Sequence, residues 1–75
     1  MNHYIYETTN LINGKKYIGK RSCHCDIKDD IYLGSGVYFK KAVSKYGRKN
    51  FKKVILEVCD DEQQAWEREK FYIEQ

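Results

Sequence analysis

The residue types best suited to chemistry sit near the two ends of the chain. Ala65, Trp66, Tyr72 and Ile73 recur at helical spacing, and Glu69 falls on the same stripe, three residues after Trp66 and four before Ile73. A carboxylate on a face that must pack either reaches water at the rim or meets a cation, because burying it unpaired costs on the order of several kcal/mol. Glu62 and Glu67 lie off the stripe and read as solvated charges. Toward the other end, Tyr4, Tyr6 and Tyr17 put three phenols on two strand-like segments, with Gly19 two residues after Tyr17 on the same face. Glycine inside a strand often marks a point where a ligand or another backbone comes close. The outcome is a cleft walled by hydroxyls and flanked by Lys16, Lys20 and Arg21.

The elements that must position these groups follow from local patterning. Residues 3–8 are aromatic and β-branched and predict a strand, residues 16–20 predict a second, and Asn13-Gly14 supplies the turn of a hairpin with a loop of about six to eight residues. Residues 21–34 show no period and read as a loop. Ser35 is the expected cap of a helix reaching Tyr46, with Gly47 as its stop, and residues 51–58 form a third strand whose Val54-Ile55-Leu56 centre suggests burial on both faces. Asp60 or Asp61 caps a final helix. The order is β-β-α-β-α, an α+β fold with a small three-stranded antiparallel or mixed sheet flanked by helices.

Composition narrows the function. The 75 residues are 41% hydrophobic and 33% charged, and contain no proline, internal repeat or linker-like stretch, so one domain is expected. The longest purely apolar run, Val54-Ile55-Leu56, is far too short to cross a hydrocarbon core of about 30 Å, and no membrane partner is expected. Residues 1–53 carry twelve lysines and arginines against four acids, net +8, and residues 54–75 carry two against seven, net −5; together they give the overall +3. A basic body with an acidic end points to a polyanionic partner. Three cysteines, two of them only one residue apart, predict a reduced, intracellular chain. Cys23-His24-Cys25 is too tightly spaced for a typical structural zinc site, with or without Cys59.

Taken together, Tyr4-Ile5-Tyr6, Asn13-Gly14-Lys15, Tyr17-Ile18-Gly19 and Glu69 resemble the motifs of the GIY-YIG nuclease family. Tyr32-Leu33-Gly34-Ser35-Gly36, Lys45-Tyr46-Gly47 and Asn50-Phe51 are similar to segments of phage-type homing endonucleases of that family, so the resemblance covers the whole chain. Tyr4 replaces the glycine of the first motif. The family's helix arginine falls at Ile27, which leaves Arg21, Lys40 or Lys41 to take its role. The family's asparagine beyond the glutamate has no counterpart before Gln75, so residues 1–75 are expected to be either a truncated catalytic core or a single domain that works without it.

The resemblance implies a DNA endonuclease that hydrolyses phosphodiester bonds of duplex DNA with a metal and weak intrinsic sequence specificity, feeble or inactive in isolation. In that picture Glu69 binds one Mg²⁺ (or Mn²⁺) per site. Tyr17 or Tyr6 orients the attacking water and helps deprotonate it, with Lys20 or Arg21 lowering a phenol pKa that starts at about 10. Gly19 contributes backbone to the site, and Arg21 or a helix lysine clamps the phosphate. Lys40, Lys41, Lys45, Arg48, Lys49, Lys52 and Lys53 are expected to contact the DNA backbone. A monomer in the cytoplasm of a bacterium or phage-infected host cell completes the expectation. The second reading is a nucleic-acid-binding module of the same fold that has lost catalysis.

Overall fold

Asn13 and Gly14 turn the chain between β1 (Asn2–Asn10) and β2 (Lys16–Cys23) in a computed structural model that describes residues 1–74. Gly14 takes a φ of 77°, where a side chain would be strained, and its N–H donates to the Asn10 carbonyl at 2.8 Å. The loop is residues 11–15, shorter than expected, because both strands run further than their propensities indicate. Pairing Arg21 with Tyr4 and Cys23 with Asn2 draws residues 21–23 out of the predicted loop and into β2.

β3 (Phe51–Cys59) adds antiparallel on the far side of β1, giving the order β2-β1-β3. The sheet is therefore wholly antiparallel, and the fold is α+β as expected. β1 is the central strand, and an irregularity between Ile5 and Tyr6 shifts its register against β3. Because β3 is an edge, its centre is not buried on both faces: Val54 is 46% exposed.

Alternation along β1 divides the core in two. Tyr4, Tyr6 and Thr8 face one side with Tyr17, Gly19 and Arg21 opposite them on β2. That side is covered by residues 24–35, which contain a short 3-10 turn at Ile27–Asp29, and by α1 (Val37–Tyr46). Phe39 docks α1, its ring meeting Tyr17 at 5.1 Å and Phe51 at 5.5 Å, both edge-on. Ile5, Cys59, Ile18 and Leu56 face the other side, where α2 (Glu62–Ile73) seats Ala65 and Tyr72.

The helix ends follow their capping residues. Asp61 accepts from the Gln64 N–H at 2.7 Å, and Gly47, at φ 86°, returns its N–H to Val43 at 2.9 Å. Ser35 is not a cap. Gly36 takes that place at φ 103°, a backbone angle that favours glycine, and α1 begins one residue later than a Ser35 cap would set it. Among the described residues no helix is long and apolar enough to cross a membrane.

The dependence of α1 on one aromatic gives a direct test. Phe39→Ala leaves a void between Tyr17 and Phe51 and is expected to cost about 3–5 kcal/mol, a large part of the stability of so small a domain. Urea unfolding checks this; a loss below about 1 kcal/mol would mean that α1 is held by something else.

Candidate active site

The two tyrosines of the hairpin sit in different settings. Tyr6 is 4% exposed on the central strand, and its partner across the sheet is Gly19. A Cβ on Gly19 would overlap the Tyr6 hydroxyl and stand 2.7 Å from Cζ, so the phenol crosses β2 through the space that glycine leaves. The cleft expected over Gly19 is filled by Tyr6 itself. Tyr17 pairs with Thr8 on the same face, half-buried against Phe39, with the Lys15 ammonium 5.6 Å from its ring centre.

Glu69 lies on α2, half-buried, and near enough to Tyr6 for its charge to act on the phenol. It forms no ion pair among the described residues. The helix is rotated from the predicted stripe. Ala65 is fully buried, and Arg68 and Tyr72 reach Glu57 at 2.9 and 3.0 Å, whereas Trp66 and Ile73 are more than half exposed. Glu69 thus stands on the flank of the packed face rather than at its centre.

Burial drives the Tyr6 phenol above its ordinary value, and the Tyr32 phenol and the Glu69 carboxylate push the same way; Arg21 opposes them without winning. This reverses the expectation that a neighbouring cation would favour the Tyr6 phenolate. At neutral pH Tyr6 keeps its proton and can donate a hydrogen bond.

Of the candidate cations, Arg21 alone shares the tyrosine face of β2. Lys20 alternates to the other side, where it pairs with Glu62 at 3.7 Å in a shallow depression with Gln63 and Trp66. Arg21 donates from Nε to Asp30 Oδ2 at 3.1 Å and lies over the Tyr32 ring, 4.3 Å from its centre. Tyr32 in turn meets Tyr6 edge-on at 5.8 Å.

Asp30 and Tyr32 are not among the expected site residues, although Tyr32 opens one of the segments that carry the resemblance. Asp30 is 6% exposed and accepts from the Tyr4 hydroxyl at 2.5 Å, the Tyr32 N–H at 3.2 Å and Arg21. Lys53 donates to the Tyr4 hydroxyl at 2.9 Å and to the Asp30 carbonyl at 2.8 Å. Burial pushes the Lys53 ammonium below its ordinary pKa. Its place is therefore in this network rather than on an outer DNA-facing surface. Lys40, Lys41, Lys45, Arg48 and Lys49 are exposed along α1 and the turn after it, although Arg48 also donates to the Ile31 carbonyl. Lys52 is exposed on β3, pairing with Thr9 on the opposite face of the sheet. Cys23 and Cys25 are joined by a disulfide rather than free, while Cys59 is free and buried against α2, so the three cysteines do not converge.

The known proteins that match point the same way. Against Enterobacteria phage T4, segE is 52% identical over 66 residues, segB 49% over 70 and segA 41% over 68, covering 88%, 93% and 91% of this chain. This chain is similar to phage T4 endonucleases. The name of segA says endonuclease outright, and those of segE and segB say it as a candidate activity. The chain spans about a third of the length of these relatives, 31%, 31% and 30%. No family model matches the chain, and no solved structure does.

The Asp30 network makes a stability prediction with a definite sign. Burial raises the Asp30 pKa, but the Tyr4, Tyr32 and Arg21 hydrogen bonds and the Lys53 charge outweigh it and hold the carboxyl below its ordinary value. A carboxylate depressed in the folded state contributes stability that is present above its unfolded pKa of about 3.9 and is lost as pH falls through the folded one. Asp30→Asn should therefore melt lower than the parent at pH 7, and the gap should close below about pH 4. A gap that persisted unchanged at pH 2 would remove the ionised carboxylate from the account.

Proposed function

We propose that this chain is a DNA endonuclease domain of the GIY-YIG type that hydrolyses phosphodiester bonds in duplex DNA with a divalent cation held at Glu69. The observation that carries the reading is an acid without an ion-pair partner among the described residues, half-buried, within electrostatic reach of a protonated phenol that crosses the sheet at Gly19. The names of the phage T4 relatives support the same activity.

The donor set suits a hard cation. Glu69 offers carboxylate oxygen, which Mg²⁺ prefers, and a single carboxylate plus a substrate phosphate is a common way to hold that ion. Bound there, the cation would neutralise charge on the reacting phosphate and on the departing oxygen. The chain's own residues do the rest. Tyr6, kept neutral by burial, donates a hydrogen bond into the site, and the more open Tyr17 orients the attacking water. Arg21 presents a planar guanidinium for a phosphate, which suits it better than the ammonium of Lys20. Lys40, Lys41, Lys45 and Lys49 hold the backbone without reading sequence, so intrinsic specificity is weak.

Plasmid nicking with and without Mg²⁺ tests the proposal. Glu69→Gln should abolish the Mg²⁺-dependent reaction while DNA affinity stays the same or rises. Tyr17→Phe should slow it at least tenfold, about 1.4 kcal/mol of barrier. A wild-type chain that binds plasmid but never nicks it with Mg²⁺ or Mn²⁺ overturns the proposal in favour of a binding module that has lost catalysis.

A further inference from the structure

We infer that Asp30 is a positioning residue that makes Arg21 the phosphate-binding arginine of this site. The inference rests on the endonuclease reading above and adds to it a residue in the aperiodic loop.

An arginine on an edge strand has a long side chain with many rotamers, and a cation that wanders cannot meet a phosphate at a fixed angle. Here two contacts fix it. Asp30 takes Nε at 3.1 Å, and the Tyr32 ring supports the guanidinium from below at 4.3 Å. Engaging Nε leaves the two Nη groups at the outer end as the donors available to an anion. Tyr32 also meets Tyr6 edge-on at 5.8 Å, so the plane of the guanidinium is referred to the phenol that crosses the sheet at Gly19.

The carboxylate itself is held without help from Arg21. The Tyr4 hydroxyl and the Tyr32 N–H bond its two oxygens, and Lys53 grips its own carbonyl. Asp30 is thus satisfied and immobile before Arg21 arrives, while a pair in which the arginine is about one third exposed adds little stability of its own. What the contact supplies is direction. No comparable contact fixes Lys40 or Lys41, which are exposed on α1.

Steady-state nicking by wild type, Arg21→Ala, Asp30→Asn and the double variant tests this, with melting temperatures measured alongside. Asp30→Asn should lower kcat at least tenfold with KM changed less than about threefold, and the double variant should be no slower than Arg21→Ala. Losses that multiply in the double variant overturn the inference. Ile5→Val trims the core on the α2 side of the sheet, away from Asp30 and Arg21, and should lower the melting temperature with kcat within about threefold; a kcat that follows melting temperature across all variants makes Asp30 merely structural and also overturns it. A readout independent of turnover separates this inference from the endonuclease reading. In ¹⁵N-labelled protein the Arg21 Nε–H resonance should be protected in the wild type, shift when a short DNA duplex is added, and do neither in Asp30→Asn. If wild type never nicks but shows that pattern, the catalytic reading falls and the positioning of Arg21 stands; an Arg21 signal indifferent to both the duplex and Asp30→Asn sinks the positioning itself.

Discussion

Two phenols buried on the central strand of a thin core must each find polar company, and most of the architecture around the site answers that demand. A buried hydroxyl left without a partner costs about 1–3 kcal/mol, a serious charge against a domain of this size. Tyr4, fully buried, is satisfied by Asp30 and Lys53, which ties residues 24–35 and β3 to the middle of the sheet. Tyr6 cannot use the same partners. It runs out over Gly19 toward Tyr32 and Glu69, so the group that needs solvation is also the group delivered to the candidate site. The loop is ordered because Tyr4 and Thr8 hold it, the latter by donating to the Leu33 carbonyl at 2.5 Å.

What could be read from the chain alone was whatever is encoded locally. The Asn13-Gly14 turn, the Gly47 stop, the Asp61 cap and the strand at Phe51 each announce themselves within a few residues, and each is where it was expected. Of the candidate site, Tyr6, Tyr17, Gly19 and Glu69 are marked in the chain by motif and periodicity, and Arg21 only as the arginine nearest the second motif. Asp30 was not, since its partner Tyr4 lies 26 residues away and the intervening stretch has no period. Lys53 reads in the chain as one more surface cation, because its partners Tyr4 and Asp30 lie 49 and 23 residues away. The rotation of α2 was hidden for a related reason: Arg68 and Tyr72 turn toward the sheet to reach Glu57, a contact between elements that helical spacing cannot contain.

The charge segregation takes on a physical meaning once the faces are known. The exposed lysines run along α1 on the tyrosine side of the sheet, and Glu62, Glu67 and Glu69 are carried by α2. The two sets cover opposite sides of the sheet, and a phosphate placed beside Glu69 would be repelled at short range unless a cation stood between them. Arg21 tempers the repulsion only partly, because Asp30 already takes up part of its charge.

Which retained residues speak for catalysis, as against binding, depends on whether folding alone would have kept them. Gly19 and Tyr6 are mutually required by packing, since any side chain at 19 collides with the phenol, so a module without activity would need them as much as an enzyme. Tyr4, Asp30 and Lys53 satisfy one another and are equally explained by the core. Glu69 has no such excuse. It forms no ion pair among the described residues, it loses solvent by being half-buried, and it raises the pKa of a neighbour that burial has already raised. A glutamine there would keep the helix and end the repulsion, so packing alone does not account for the carboxylate.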